Sequence, residues 1–282
     1  MKGFRVAFRY ARLSVSNELR EPSVYFILLG VFLIIQFCFD GVSEYLYTSL
    51  DKMNVFELYI FFMSTRTSQI IYIIGIVILS CGVLFYSTGA AYYLIRADRK
   101  KWIMGQSTYL LFMTLCYNLF IFLALCVACG GNLTFHNEWS NASLIASQFS
   151  VDSIGIKPII YVSYGMLQVS PIFAGVVTFV LSILIGMNTG LIMIFSNMRN
   201  KNIFGIAAII ILWFVDILVE NEPFFSKLNY LSPFGLSRIS RLSVMGSGPS
   251  LIYAVICLLM LATIETYFLF EAAASVDFVK ME

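Results

Sequence analysis

Few residues in this chain have the type and spacing that do chemistry, and most of them lie inside long apolar runs. Asp216 and Glu265 are carboxylates within such runs, and Gln36 and Asn118 are amides similarly placed. A carboxylate inside a membrane is expensive to desolvate, so it marks a proton or ion pathway or pairs with a buried partner. Asp216 lies toward the outer end of its run and Glu265 toward the inner end of its own. Either could instead reach headgroups or water, and their different depths argue against direct pairing. Gln36, Asp216 and Glu265 are therefore the pathway candidates. Cys126 and Cys129 have C-x-x-C spacing, but no second pair and no histidine accompany them, so they read as small core residues. The single histidine, His136, excludes an H-E-x-x-H metal site. The chain has no G-x-x-x-x-G-K-[ST] phosphate loop and no G-x-S-x-G elbow. The expectation is a chain with no catalytic residue, no metal ligand and no nucleotide site of its own.

The elements that hold these residues are set by hydropathy. Of the 282 residues 60% are hydrophobic and 12% charged, with a mean hydropathy of +0.86. Soluble domains carry about a quarter charged residues, so too little polar surface is present to cover a soluble fold. A bilayer-crossing helix needs about 20 apolar residues. Six candidates are visible: Ser23 to Phe39, a span within Ser68 to Ile95, Thr108 to Cys129, Pro171 to Phe195, Ile203 to Leu218, and Leu251 to Phe270. The run Ile159 to Met166 is also apolar and could be a surface or re-entrant helix. No small-x-small cleavage site follows the first run, so it is expected to stay in the protein.

Basic residues orient the spans. With the N-terminus inside, the inner segments hold Lys2, Arg5, Arg9, Arg12, Arg20, Arg96, Arg99, Lys100, Lys101, Arg199, Lys201 and Lys280, two thirds of the 18 Lys and Arg. Lys52, Arg66, Lys157, Lys227, Arg238 and Arg241 fall outside. The prediction is an all-α, multi-pass cell-membrane protein with both ends in the cytoplasm. Within the spans, Gly186-x-x-x-Gly190 and the small residues Gly75, Gly82, Gly89, Ala90 and Ala91 offer surfaces for close helix approach.

Residues 1–22 form a separate unit ahead of the membrane domain at 23–282. At about 100° per residue, Phe4, Phe8, Ala11, Val15 and Leu19 fall on one stripe, and Lys2, Arg5, Arg9 and Arg12 on its neighbour. This predicts an amphipathic helix in the membrane interface, apolar side in lipid and arginines near anionic headgroups. A plain basic flank to the first span is the simpler alternative. Pro22 ends the helix, since it disfavours helical backbone just before it.

Several features together resemble a known family. The amphipathic helix leads through Leu19-Arg20-Glu21-Pro22 into the first span. A short basic turn, Arg96-Ala97-Asp98-Arg99-Lys100-Lys101, joins the second and third spans. A long outer segment follows the third. Leu228-Asn229-Tyr230-Leu231-Ser232-Pro233-Phe234 precedes the sixth. This layout resembles the type II ATP-binding-cassette (ABC) exporter permeases. The resemblance implies a transport subunit that exports an amphiphilic, lipid-like, peptide or drug cargo. It also implies pairing with a second permease, the same or a related chain, within membrane lipid and with no role for nucleic acid. ATP and Mg would act through separate ATPase subunits. Those would meet the amphipathic helix, with Arg9 and Arg12, and the turn that carries Arg96, Asp98, Arg99, Lys100 and Lys101. The turn departs from the family's pattern in having no glycine and no second acidic residue. A proton-coupled carrier and a non-transporting scaffold or immunity protein are the alternatives.

Overall fold

The computed structural model describes residues 2–49, 51–81, 99–148, 166–199, 202–221, 228–243 and 248–275. Nearly all of them are helical. Helix α1 is Lys2–Glu18, and Leu19-Arg20-Glu21 turns the chain into α2, Pro22–Ser49. Pro22 occupies the first position of α2, where its missing N–H is no loss. The two-residue strand β1, Met53–Asn54, leads into α3, Val55–Ser64, and Thr65 separates α3 from α4, Arg66–Cys81. Helix α5 is Arg99–Cys129, followed by β2, Leu133–Thr134, and α6, Asn141–Gln148. Then come α7, Pro171–Met198, α8, Asn202–Asn221, the single turn α9, Pro233–Leu236, and α10, Leu251–Ser275.

Helices α2, α5, α7 and α10 are each long and apolar enough to cross a bilayer. The α3–α4 pair would be a fifth span if counted as one, but it bends by 85° at Thr65. The apolar part of α8, Ile203–Val219, is shorter. Of the six predicted spans, the first, third, fourth and sixth appear as full-length helices and the fifth as a short helix, while the described part of the second is α4 alone; the described residues hold four helices of spanning length, or five with the bent pair. A multi-pass membrane protein is the architecture these helices make. The second span begins at Arg66 rather than Ser68, and its remainder, with Gly82, Gly89, Ala90 and Ala91, lies outside the described residues. So does most of the run Ile159 to Met166; only Met166 is seen, at the start of a short 3-10 turn. Two boundaries move outward. Helix α2 runs ten residues past Phe39, and α5 starts nine residues before Thr108. At 1.5 Å per residue, α5 is about 46 Å long and exceeds the roughly 30 Å hydrocarbon layer.

The bundle is organised around α7. It packs against α3, α4, α5, α8 and α10, and 72% of its most apolar stretch is buried, against 22% for α2 and 17% for α10. Helix α7 is therefore the central helix, and α2 and α10 are peripheral. In lipid, apolar burial gives little drive for helices to associate, so close packing and polar links must hold them. Both are present. Gly186 lies under the Tyr72 hydroxyl of α4, and four residues on Gly190 faces Leu110 of α5 and Ser80 of α4. A side chain at either position would meet these groups.

One end of the bundle is capped. Parallel pairing sets Met53 opposite Leu133 and Asn54 opposite Thr134. The short helices α6 and α9 sit at this end. The opposite end receives α1, the start of α5 and the end of α7. Helix α3 was not anticipated in the sequence. It is buried on nearly every side, so its run Val55-Phe56-Glu57-Leu58-Tyr59-Ile60-Phe61-Phe62-Met63 carries no helical period, and it is too short for a span.

Candidate functional site

The described residues form three buried polar clusters. The first fastens the cap. Asn54 starts α3 as its N-cap: its Oδ1 accepts from Phe56 N at 2.9 Å, and Glu57 Oε1 accepts from Asn54 N at 3.1 Å. This reciprocal arrangement satisfies two donors that a helix start leaves open. Glu57 is fully buried and accepts three further bonds from the segment after α5: from Ser140 N at 3.0 Å, from Ser140 Oγ at 2.6 Å, and from Ser143 Oγ. Asn54 Nδ2 donates to the His136 carbonyl. Nearby, Ala142 N donates to Asp51 Oδ2 at 3.0 Å, and Trp139 Nε1 to the Val169 carbonyl at 2.8 Å. Glu57 was not singled out in the sequence, although the spacing Asn54-x-x-Glu57 is a capping-box signature ahead of an apolar run.

The second cluster joins α3, α4, α5 and α7. The Tyr59 hydroxyl donates to Asn118 Oδ1 at 2.5 Å and lies 2.6 Å from Ser182 Oγ. Ser182 Oγ donates to the same Asn118 oxygen at 2.7 Å. Asn118 Nδ2 donates to the Tyr72 hydroxyl at 2.9 Å and to the Thr114 carbonyl at 2.7 Å. The Tyr72 hydroxyl in turn donates to the Ser182 carbonyl at 2.7 Å. The Asn118 amide can accept two bonds and donate two, and it makes all four. Tyr117 stacks on Tyr72 with ring centres 5.5 Å apart. A saturated amide of this kind has no capacity left for a ligand, so its role here is to select one packing of four helices. Asn118→Leu is expected to lower stability by about 2 kcal/mol, since it strands buried hydroxyls. The loss reads as a lowered melting temperature in detergent. Thr263→Val, which removes only a local bond on an exposed face, should leave that temperature unmoved.

The third cluster contains Asp216. Its carboxylate is fully buried and does not reach headgroups or water. Arg238 pairs with Oδ2, Arg241 with Oδ1 at 3.0 Å, and Ser232 Oγ donates to Oδ1 at 2.9 Å. Ser232 is also the N-cap of α9. Arg238 is 2% exposed. The two arginines counted as outer basic residues in the sequence thus fold back onto the end of α8. Gln69 Nε2 ties the start of α4 to the same region through Ser237 Oγ at 2.7 Å.

The other sequence-selected residues are dispersed. Gln36 is half-buried, and its Nε2 donates to the Ala124 carbonyl at 3.1 Å, linking α2 to α5. Glu265 is half-buried on α10, and its Oε2 is buried with no hydrogen-bond partner among the described residues. Arg9 and Arg12 are exposed on α1. Arg99, Lys100 and Lys101 form the first turn of α5, Lys101 half-buried. Arg96 and Asp98 lie outside the described residues. On α1 the expected apolar stripe divides: Ala11 is buried and Val15 packs on the core, while Phe8 and Leu19 stay exposed. The side chain of Phe4 lies outside the described residues. Among the described helices, α1 and α5 pack against each other most extensively. All six cysteines are free thiols.

The chain matches no protein-family model, no curated protein and no solved structure. The reading of function therefore rests on the residues and their arrangement.

Proposed function

We propose that this chain is the membrane-spanning permease subunit of an ABC exporter, set in the cell membrane with both ends in the cytoplasm. The observation that carries the reading is the packing of α1 on α5. Helix α1 is amphipathic, with Arg9 and Arg12 exposed. Helix α5 opens with Arg99-Lys100-Lys101. Two segments about 80 residues apart in sequence thus belong to one docked unit at the uncapped end. That unit suits a soluble partner which delivers work to the spans. The chain carries no phosphate loop, so the work of transport comes from outside it. ATP binding to a separate ATPase would favour one arrangement of the bundle over another, which is a shift of population between inward and outward states. The exposed faces of α2 and α10 are where lipid and a second permease would lie.

Purification in mild detergent from native cells tests the assignment. A stoichiometric partner that carries a G-x-x-x-x-G-K-[ST] loop is the expected result, and its absence under conditions that preserve other membrane complexes sinks the reading. Replacing Arg96, Arg99, Lys100 and Lys101 together by alanine should weaken that assembly by about 10- to 100-fold, at roughly 0.35–0.7 kcal/mol for each charge removed. Unchanged assembly and transport would remove the coupling role.

One observation favours the proton-coupled carrier as the second reading: the buried Oε2 of Glu265, which has no hydrogen-bond partner among the described residues. That reading calls for transport without an ATPase and for its loss in Glu265→Gln.

A further inference from the structure

Beneath the last turn of α1 lies a cavity of about 180 Å³. Its walls include Val15 and Glu18 of α1, Leu28 of α2, Leu79 of α4, and Met113 and Phe120 of α5. Apolar groups line it almost throughout. Glu18 is the one charged residue type among the described lining residues, and it makes no ion pair or side-chain hydrogen bond among the described residues. An acid left alone at an apolar wall is destabilising unless something meets it there.

We propose that this crevice binds a single-chain amphiphilic amine, with its alkyl chain against Leu28, Leu79 and Met113 and its ammonium on the Glu18 carboxylate. The volume admits a stretch of alkyl chain and excludes a folded polypeptide. The charge selects among amphiphiles. A fatty acid would set a second carboxyl against Glu18. A zwitterionic aminophospholipid would bring its phosphate beside the ammonium, and no cationic side chain among the described residues lines the crevice to receive it. A long-chain alcohol would fill the space and leave the acid unpaired.

Binding has a protonation signature. Burial pushes the Glu18 carboxyl from 4.5 up to about 8. Among the described residues, the other titratable side chains of the lining are Tyr109, Cys116 and Tyr117, all on α5, and α2 and α4 contribute Val24, Leu28 and Leu79. None of these is charged at pH 7. The empty site therefore holds a neutral acid at pH 7. An ammonium beside it favours the ionised form, so the carboxyl gives its proton to buffer while the amine keeps its own. Above about pH 9 the carboxylate is already ionised and no proton is released.

This inference goes beyond the transport reading and stands without it, since it needs neither an ATPase nor a second chain. The test uses the full chain in phosphatidylcholine nanodiscs, titrated with dodecylamine and with dodecanol against empty nanodiscs. Heats are read at pH 7 in two buffers of different ionisation enthalpy. The expected result is one saturable site per chain for dodecylamine, with proton release. Binding should weaken by about tenfold or more in Glu18→Gln and for dodecanol, the size of a charge-assisted hydrogen bond. Leu28→Trp, which fills the crevice from its far wall and leaves the acid in place, should abolish the site. Equal binding of dodecanol, unchanged binding in Glu18→Gln or Leu28→Trp, or no saturation beyond empty nanodiscs would overturn the proposal. Competition by phosphatidylethanolamine added to the nanodiscs would overturn the ligand class.

Discussion

Replacing Asp216 by alanine is expected to destabilise this protein by about 3–5 kcal/mol, the range seen when one partner of a buried ion pair is removed. The reason is what remains. Arg238 is 2% exposed, and Arg241 has 12% of its side chain accessible. Without the carboxylate both guanidiniums would lose the counter-charge they share in a largely desolvated site, and Ser232, which caps α9, would lose its acceptor. Against a total folding stability of about 5–15 kcal/mol, such a loss should appear as little folded protein surviving size-exclusion in detergent. The same principle supplies a rescue. Asp216→Leu combined with Arg238→Met and Arg241→Leu removes all three charges together and should recover most of the stability. A melting temperature for Asp216→Ala equal to that of the unaltered protein would show that the pairings carry no weight. The substitution also separates functional readings. If Asp216 carried protons for a carrier, Asp216→Asn would fold normally and fail only in transport.

The second large effect is expected at the cap. Glu57→Ala withdraws the shared acceptor of Asn54 N, Ser140 N, Ser140 Oγ and Ser143 Oγ. Ser140 and Ser143 lie 2.9 Å apart and can bond each other, which recovers part of the loss. The two backbone N–H groups have no such substitute. Each stranded buried donor costs about 1–3 kcal/mol, so a net effect near 3 kcal/mol is expected. It should be local, because Glu57 holds one segment onto α3 rather than the bundle together. A local opening of 3 kcal/mol raises amide exchange over residues 133–143 by about 100-fold, while exchange in the centre of α7 stays slow. Uniform acceleration across α7 as well would mean that the cap is part of one cooperative unit with the bundle. No change anywhere would mean that the Glu57 bonds are replaceable.

The long helices were legible in the sequence because lipid demands continuous apolar runs, and α2, α7 and α10 lie where those runs lie. Their ends were less legible. Past Phe39 the helix continues through Asp40, an exposed residue on its surface, and hydropathy alone reads that charge as a boundary. Helix α3 escaped notice for a related reason: a helix buried on all sides shows neither a period nor a span's length. The N-terminal helix was legible from its two stripes, but the stripe alone could not show that Ala11 and Val15 would pack on the core while Phe8 and Leu19 remained outside.

What the sequence determined by itself is the solvent and the class of architecture: a chain this apolar, with this few charges, must place helices in a bilayer. It also determined which polar residues lie in those helices, since each carboxylate or amide is conspicuous against an apolar run. Only the tertiary structure decided what those residues meet. Asp216 meets two arginines from a segment beyond its own helix, Asn118 meets hydroxyls from three other helices, and Glu18 and Glu265 meet no polar partner among the described residues. The physical reason is that hydropathy is a property of each residue taken alone, and survives in a string. Hydrogen bonds and ion pairs need two groups within about 3 Å in the right direction, and only the packing of distant segments brings them there.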